Sequence, residues 1–132
     1  MLTKNFNLFS LPAGLARLDG AVGFIRSTRY MDWFSAQNFC RSYGKNLVTL
    51  RQMGLGNAVP SGKSYCFDTG SDACNPVEWS VIQAKFGTDY DPWTANLTSS
   101  ISCSAFYVVL ADTITNVDLD TRSNHDRKAL CK

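Results

Sequence analysis

Apolar positions fall at helical spacing in two stretches of the chain and at strand spacing in several others. Trp33, Ala36 and Cys40 recur at i, i+3 and i+7, Phe39 and Tyr43 widen the same stripe, and Ser35, Gln37, Asn38, Arg41 and Ser42 take the wet side. Asp32 stands where an N-cap is wanted and Gly44 where a left-handed residue ends a helix, so the spacing predicts a helix with Cys40 turned inward. "NLVTL" after the glycine reads as a short strand beside it. A second helix is announced by Asn75 as N-cap, Pro76 at the first helical position and Glu78 three residues after the cap. Its face is Trp79, Ile82 and Phe86, and its end is Gly87.

Strand patterns cluster toward the C-terminus. "AFYVVLAD" reads as a buried strand, "ITNVDLD" alternates Val117 and Leu119 against Asp118 and Asp120, and "RKALC" is a third. Their short joins predict an antiparallel meander. "GAVGFIR" near the start adds another strand, whereas "TDYDPWTANLTSSISCS" is polar and aromatic without helical period. The expected class is therefore α+β, two helices packed on antiparallel strands with long loops. The longest of these loops, residues 51–75, is broken by glycines and turn residues, and Cys66 and Cys74 flank its "FDTGSDA" turn. A bridge between them would close a tight loop and contribute about 2 to 3 kcal/mol.

Size and charge narrow the function classes. The chain has 132 residues, enough for one domain, with 45% hydrophobic and 18% charged residues and a formal net charge of +2. The local cluster Arg122, Arg127 and Lys128 is offset by Asp118, Asp120 and Asp126, so no nucleic-acid footprint is expected. No apolar run approaches the roughly 20 residues of a membrane-spanning helix, so direct membrane insertion is not expected either. The start, "MLTKNFNLFSLPAG", lacks the apolar core of a secretory signal, and a leader or anchor is expected outside these residues. Five cysteines favour an oxidising compartment, as disulfides or else as reduced structural thiols, and the odd count leaves one unpaired or paired between molecules. With no C-x-x-C and one histidine, His125, a zinc site is not expected.

Catalytic constellations are short of parts. Cys103 with His125 is the one conceivable nucleophile and base, against the simpler readings of a half-buried thiol and a turn residue. "GLG" at residues 54–56 has no lysine to make it a phosphate loop. Asp118 and Asp120 open like a calcium loop, but Arg122 occupies the next alternate position. "NLT" at residues 96–98 fits an N-glycosylation acceptor. No enzyme activity, cofactor or metal is expected.

The pattern W-x-x-A-x-x-x-C-x-x-x-G-x-x-L-V, carried by Trp33, Ala36, Cys40, Gly44, Leu47 and Val48, resembles the first helix of a C-type lectin-like domain, and the ending "ALCK" resembles that fold's last strand. The resemblance implies a Cys40 to Cys131 disulfide and a domain over residues 20–132, with residues 1–19 as an N-terminal extension. The stretch from "PWTAN" to "ALC" is similar to the end of bacterial lectin-like domains, including the variable proteins of diversity-generating retroelements. By that likeness Trp93 and Tyr107 are scaffold or platform, and Asn96, Thr98, Ser100, Asn116, Asp118, Asp120, Arg122, Asn124 and His125 are ligand contacts. The triplets with which calcium-binding lectins hold their ion and sugar are absent, so the implied binding is metal-independent. The expected function is a secreted or surface-displayed adhesion or recognition module for a protein or glycan ligand on another cell or surface. The alternative is a structural distal domain of a pilin-like assembly.

Overall fold

The computed structural model describes residues 14–55, 78–97, 104–110, 113–119 and 126–132. In chain order the elements are β1 (Leu15–Arg17), β2 (Ile25–Met31), α1 (Trp33–Ser42), α2 (Trp79–Phe86), β3 (Pro92–Leu97), β4 (Ser104–Val109), β5 (Thr113–Asp118) and β6 (Arg127–Cys131). The strands form one sheet in the order β1-β2-β6-β3-β4-β5. All neighbours are antiparallel except β3 and β6, which run parallel. The α+β class stands, with a mixed sheet in place of the expected antiparallel one.

Helix α1 forms where the periodicity puts it. The Asp32 carboxylate accepts the Ser35 N–H at 2.7 Å, satisfying one of the donors a helix start leaves open. At the other end Gly44 has φ 71°, its N–H bonds the Arg41 carbonyl, and the Lys45 N–H bonds the Cys40 carbonyl, both at 3.0 Å. That pair of bonds is the Schellman arrangement, which needs a residue without a β carbon at its turning point. Trp33, Ala36 and Cys40 are the buried face.

That face lies on one side of the sheet, the α1 face, against Ile25, Trp93, Ala105, Ala129 and Cys131. The opposite side, the α2 face, packs Phe106, Val108, Ile114 and Leu130 against Phe24, Val48, Leu50, Met53, Ile82 and Phe86. A β carbon at Gly20 would lie 2.7 Å from the Ala84 carbonyl oxygen, so only glycine lets the turn before β2 rest on the end of α2. Cys40 and Cys131 are joined, Cα atoms 5.4 Å apart, so α1 is bonded to the strand at the middle of the sheet.

Several expectations are corrected. Helix α2 begins at Trp79 with Glu78 at the N-cap and no side-chain capping bond, so Glu78 is not the third residue of a capping box. Asn75 and Pro76 lie outside the described residues. "GAVG" is a turn, closed by the Phe24 N–H on the Ala21 carbonyl, and the strand it precedes starts at Ile25. "NLVTL" forms only a bridge from Leu47 to Cys131, after which Val48 donates to the Leu130 carbonyl and accepts from the Ala95 N–H. The meander breaks at its third member: β4 and β5 pair, but β6 inserts between β2 and β3. "PWTANL", left without an element, is β3. Residues 15–17, within the expected extension, form the edge strand β1 and pair with β2.

Candidate functional site

Strand β6 opens on two cations that diverge. Alternation along the strand turns Arg127 toward the α1 face with Ala129 and Cys131, and Lys128 toward the α2 face with Leu130. Each is received by aromatic rings.

On the α1 face the Arg127 guanidinium lies 4.0 Å from the Tyr107 ring centroid and 5.9 Å from that of Trp93. The two rings meet edge to face at 5.9 Å as register partners of β3 and β4. Trp93 is fully buried, and its indole N–H donates to the Met31 carbonyl at 2.8 Å. The Trp93 ring therefore holds Tyr107, and Tyr107, half-buried, carries the guanidinium. An Arg127 terminal nitrogen donates to the Asp126 carbonyl at 2.9 Å, whereas its Nε is buried without a partner.

On the α2 face Arg26 sits 4.6 Å from the Tyr90 ring centroid, and Lys128 Nζ lies 5.4 Å from the Tyr30 ring and 5.6 Å from the Tyr90 ring. A bulge in β2 between Arg26 and Tyr30 shapes this side. Ser27, fully buried, bridges the bulge: its hydroxyl accepts the Ala129 N–H and donates to the Arg29 carbonyl, each at 2.8 Å. Tyr30, 55% exposed, also lines a shallow groove of about 440 Å³ with Gly14, Arg29, Met31, Ser35 and Phe39.

Burial governs the titration of this cluster. The Tyr90 phenol is pushed up to about 12, chiefly by desolvation, which Arg26 opposes and Asp89 reinforces. Lys128 is held below the usual lysine range by partial desolvation and then by Arg26, with Asp89 opposing. Below pH 10 folded and unfolded chains both keep the Tyr90 proton. Between the ordinary value of 10 and the folded value of about 12 only the unfolded chain releases it, so stability falls as pH rises, by about 2 to 3 kcal/mol in all. Denaturant unfolding from pH 9 to 12 should show that extra loss in the native chain and not in Tyr90→Phe. Parallel pH slopes for the two proteins would contradict it.

The expected contact residues divide. Trp93 is core. Asn96 is half-buried, and its carboxamide oxygen accepts the Leu50 N–H at 2.9 Å, fastening the segment after α1 to β3. Asn116 and Asp118 are exposed, but they pair with Phe106 and Ser104, which puts them on the α2 face of the edge strand, opposite Tyr107. Strands β3 and β5 end side by side across β4, since Leu97 pairs with Ala105 and Ala105 with Val117. Thr98, Ser100, Asp120, Arg122, Asn124 and His125, together with Cys66, Cys74 and Cys103, lie outside the described residues. Sequence reasoning missed Arg26, Tyr30 and Tyr90 as partners of the β6 cations. Carrying the strand "GFIR" on through "STRYM" would have put Arg26 and Tyr30 an even number of positions apart, hence on one face.

Among the described residues no group of three His, Cys, Asp or Glu side chains is placed to hold a metal ion, and no helix is long and apolar enough to cross a membrane. Comparison with protein-family models, curated proteins and solved structures found no match.

Proposed function

We propose that the chain is a non-enzymatic recognition module of the C-type lectin-like kind, displayed outside the cell, that binds a protein or glycan ligand without metal through its C-terminal strands and the segments between them. The order of elements supports this reading: a first helix bonded by Cys40–Cys131 to the last strand, a second helix, then the strands β3 to β5. The disulfide is compatible with an oxidising, extracellular setting. One observation carries the proposal. Strands β3 and β5 end side by side over this braced core, and the stretches that follow them in the sequence bear the polar residues Thr98, Ser100, Asp120, Arg122, Asn124 and His125. A rigid base for polar side chains is what a binding surface requires, because ordering costs are then met before the ligand arrives.

The test is to screen the folded domain on protein and glycan arrays with and without a chelator, then to repeat the positive features with Arg122→Ala, His125→Ala and Tyr107→Ala. A ligand that survives chelation and loses roughly tenfold affinity with at least one of these variants is the expected result. Silence on both arrays, or binding abolished by the chelator, would refute it.

A further inference from the structure

Two cations share one buried tyrosine on the α2 face, and among the described residues neither has a counter-ion. Arg26 and Lys128 both approach the Tyr90 ring, at 4.6 and 5.6 Å from its centroid, close enough for Arg26 to disfavour charge on Lys128. Among the described residues neither forms an ion pair. Asp89, exposed, is the one carboxylate among the described residues whose charge is felt by the cluster, and it pairs with neither cation. Two polar atoms here are poorly paired: Arg26 Nε and the hydroxyl of Tyr90, a residue only 2% exposed, are buried without a well-formed hydrogen bond, although Arg26 lies close enough to the phenol to act on it as a weak donor. Native structures pair nearly all such atoms, and those they leave unpaired call for a cause. Poorly paired donors and unneutralised positive charge coincide at one place.

We propose that Arg26, Lys128 and Tyr90 form a carboxylate-binding subsite for an acidic side chain of a protein partner, with Tyr30 as the ring that packs on the partner beside it. Drawing Lys128 off the two rings toward a carboxylate relieves its repulsion with Arg26 and gives both cations a shared acceptor. Arg26 presents a planar fork suited to a carboxylate, and Lys128 adds a movable charge. Tyr30 selects the kind of partner: a ring 55% exposed beside two cations leaves apolar area that a small inorganic anion does not cover. Exposed tyrosine next to arginine is also the composition of protein–protein hot spots. The subsite goes beyond the proposed function, since it lies on the face opposite Tyr107 and Arg127, draws only Lys128 from the C-terminal strands and uses none of the segments between them.

The experiment is a titration of the isotope-labelled domain at fixed ionic strength with a capped tetraglutamate peptide, read on the Lys128 side-chain and Tyr90 ring signals. Sodium sulfate and an oligogalacturonate of equal charge serve as parallel probes. The expected result is a saturable shift with the peptide that Arg26→Gln or Lys128→Gln weakens at least about tenfold, that Tyr30→Ala weakens severalfold, and that Asp89→Asn strengthens by removing the neighbouring negative charge. The Asp89 variant, a gain, separates binding from loss of fold, and Lys128→Gln stands in where Arg26→Gln fails to fold. A shift that does not saturate, or one unchanged by Arg26→Gln and Lys128→Gln, would overturn the proposal. So would sulfate binding as tightly as the peptide, which means an adventitious ion only. Tighter binding of the oligogalacturonate would overturn the assignment to protein and reassign the subsite to an acidic glycan.

Discussion

With Cys40 and Cys131 both replaced by alanine, the domain unfolds with at least about 4 to 5 kcal/mol less stability than the oxidised chain, and its thermal midpoint falls by on the order of 15 °C or more. The bridge joins residues 91 positions apart, so in the unfolded chain it removes the freedom of most of the molecule. The loss is more than entropic. Both sulfurs are fully buried in the cluster that holds Trp33, Leu47 and Trp93 together, and alanine leaves a void there that the reduced cysteines would still fill. Reduction alone should therefore cost less than the double substitution. Alkylation of the native protein under reducing conditions should label the two positions only as fast as the domain opens. Thermal melts of the oxidised, reduced and doubly substituted chains check the order, and a difference below about 1 kcal/mol between the first and last would show the bridge to be idle.

Trp93→Ala is expected to cost about 3 to 5 kcal/mol, the range for deleting a large buried aromatic. Trp93 is the largest fully buried side chain described, on a strand with a neighbour on each side. Its ring touches Tyr107, and its indole N–H bonds the Met31 carbonyl. Removing it opens a cavity and leaves that carbonyl without its donor. Trp93→Phe separates the two effects: it keeps most of the packing and loses the bond, with an expected cost of about 1 to 3 kcal/mol. Urea unfolding at unchanged slope measures both. If the alanine variant lost no more than the phenylalanine one, the ring would not be carrying the packing assigned to it.

Helix α1 was legible in the sequence because every local signal agreed: period, N-cap, inward cysteine and terminal glycine each have a counterpart in the structure. Its bridge to Cys131 came instead from a resemblance, since spacing alone does not pair five cysteines. Strand β3 was hidden for the opposite reason. It starts on a proline, and Pro92, Trp93 and Thr94 are all buried, so no alternation marks it. The place of β6 was misread because neighbours in sequence usually neighbour in space, which favoured pairing it with β5. In sequence Arg127 and Lys128 read only as a charge cluster offset by Asp118, Asp120 and Asp126, not as site residues. In the structure Asp126 offers only a backbone carbonyl.

The central position of β6 has a consequence for how the molecule is made. Its neighbours are β2, near the start, and β3, and the bond from the Ala129 N–H to the Ser27 hydroxyl spans 102 positions. During synthesis the two halves of the sheet, β1 with β2 and β3 with β4 and β5, therefore exist without the strand that joins them. Bonds such as those from the Trp93 indole to Met31 and from Leu50 to Asn96 can tie the halves, but the sheet itself is not continuous until residues 127–131 have emerged, and contacts of such separation close slowly. The sheet is thus completed late, by the strand that carries Cys131, and the Cys40–Cys131 bond then makes that closure hard to reverse.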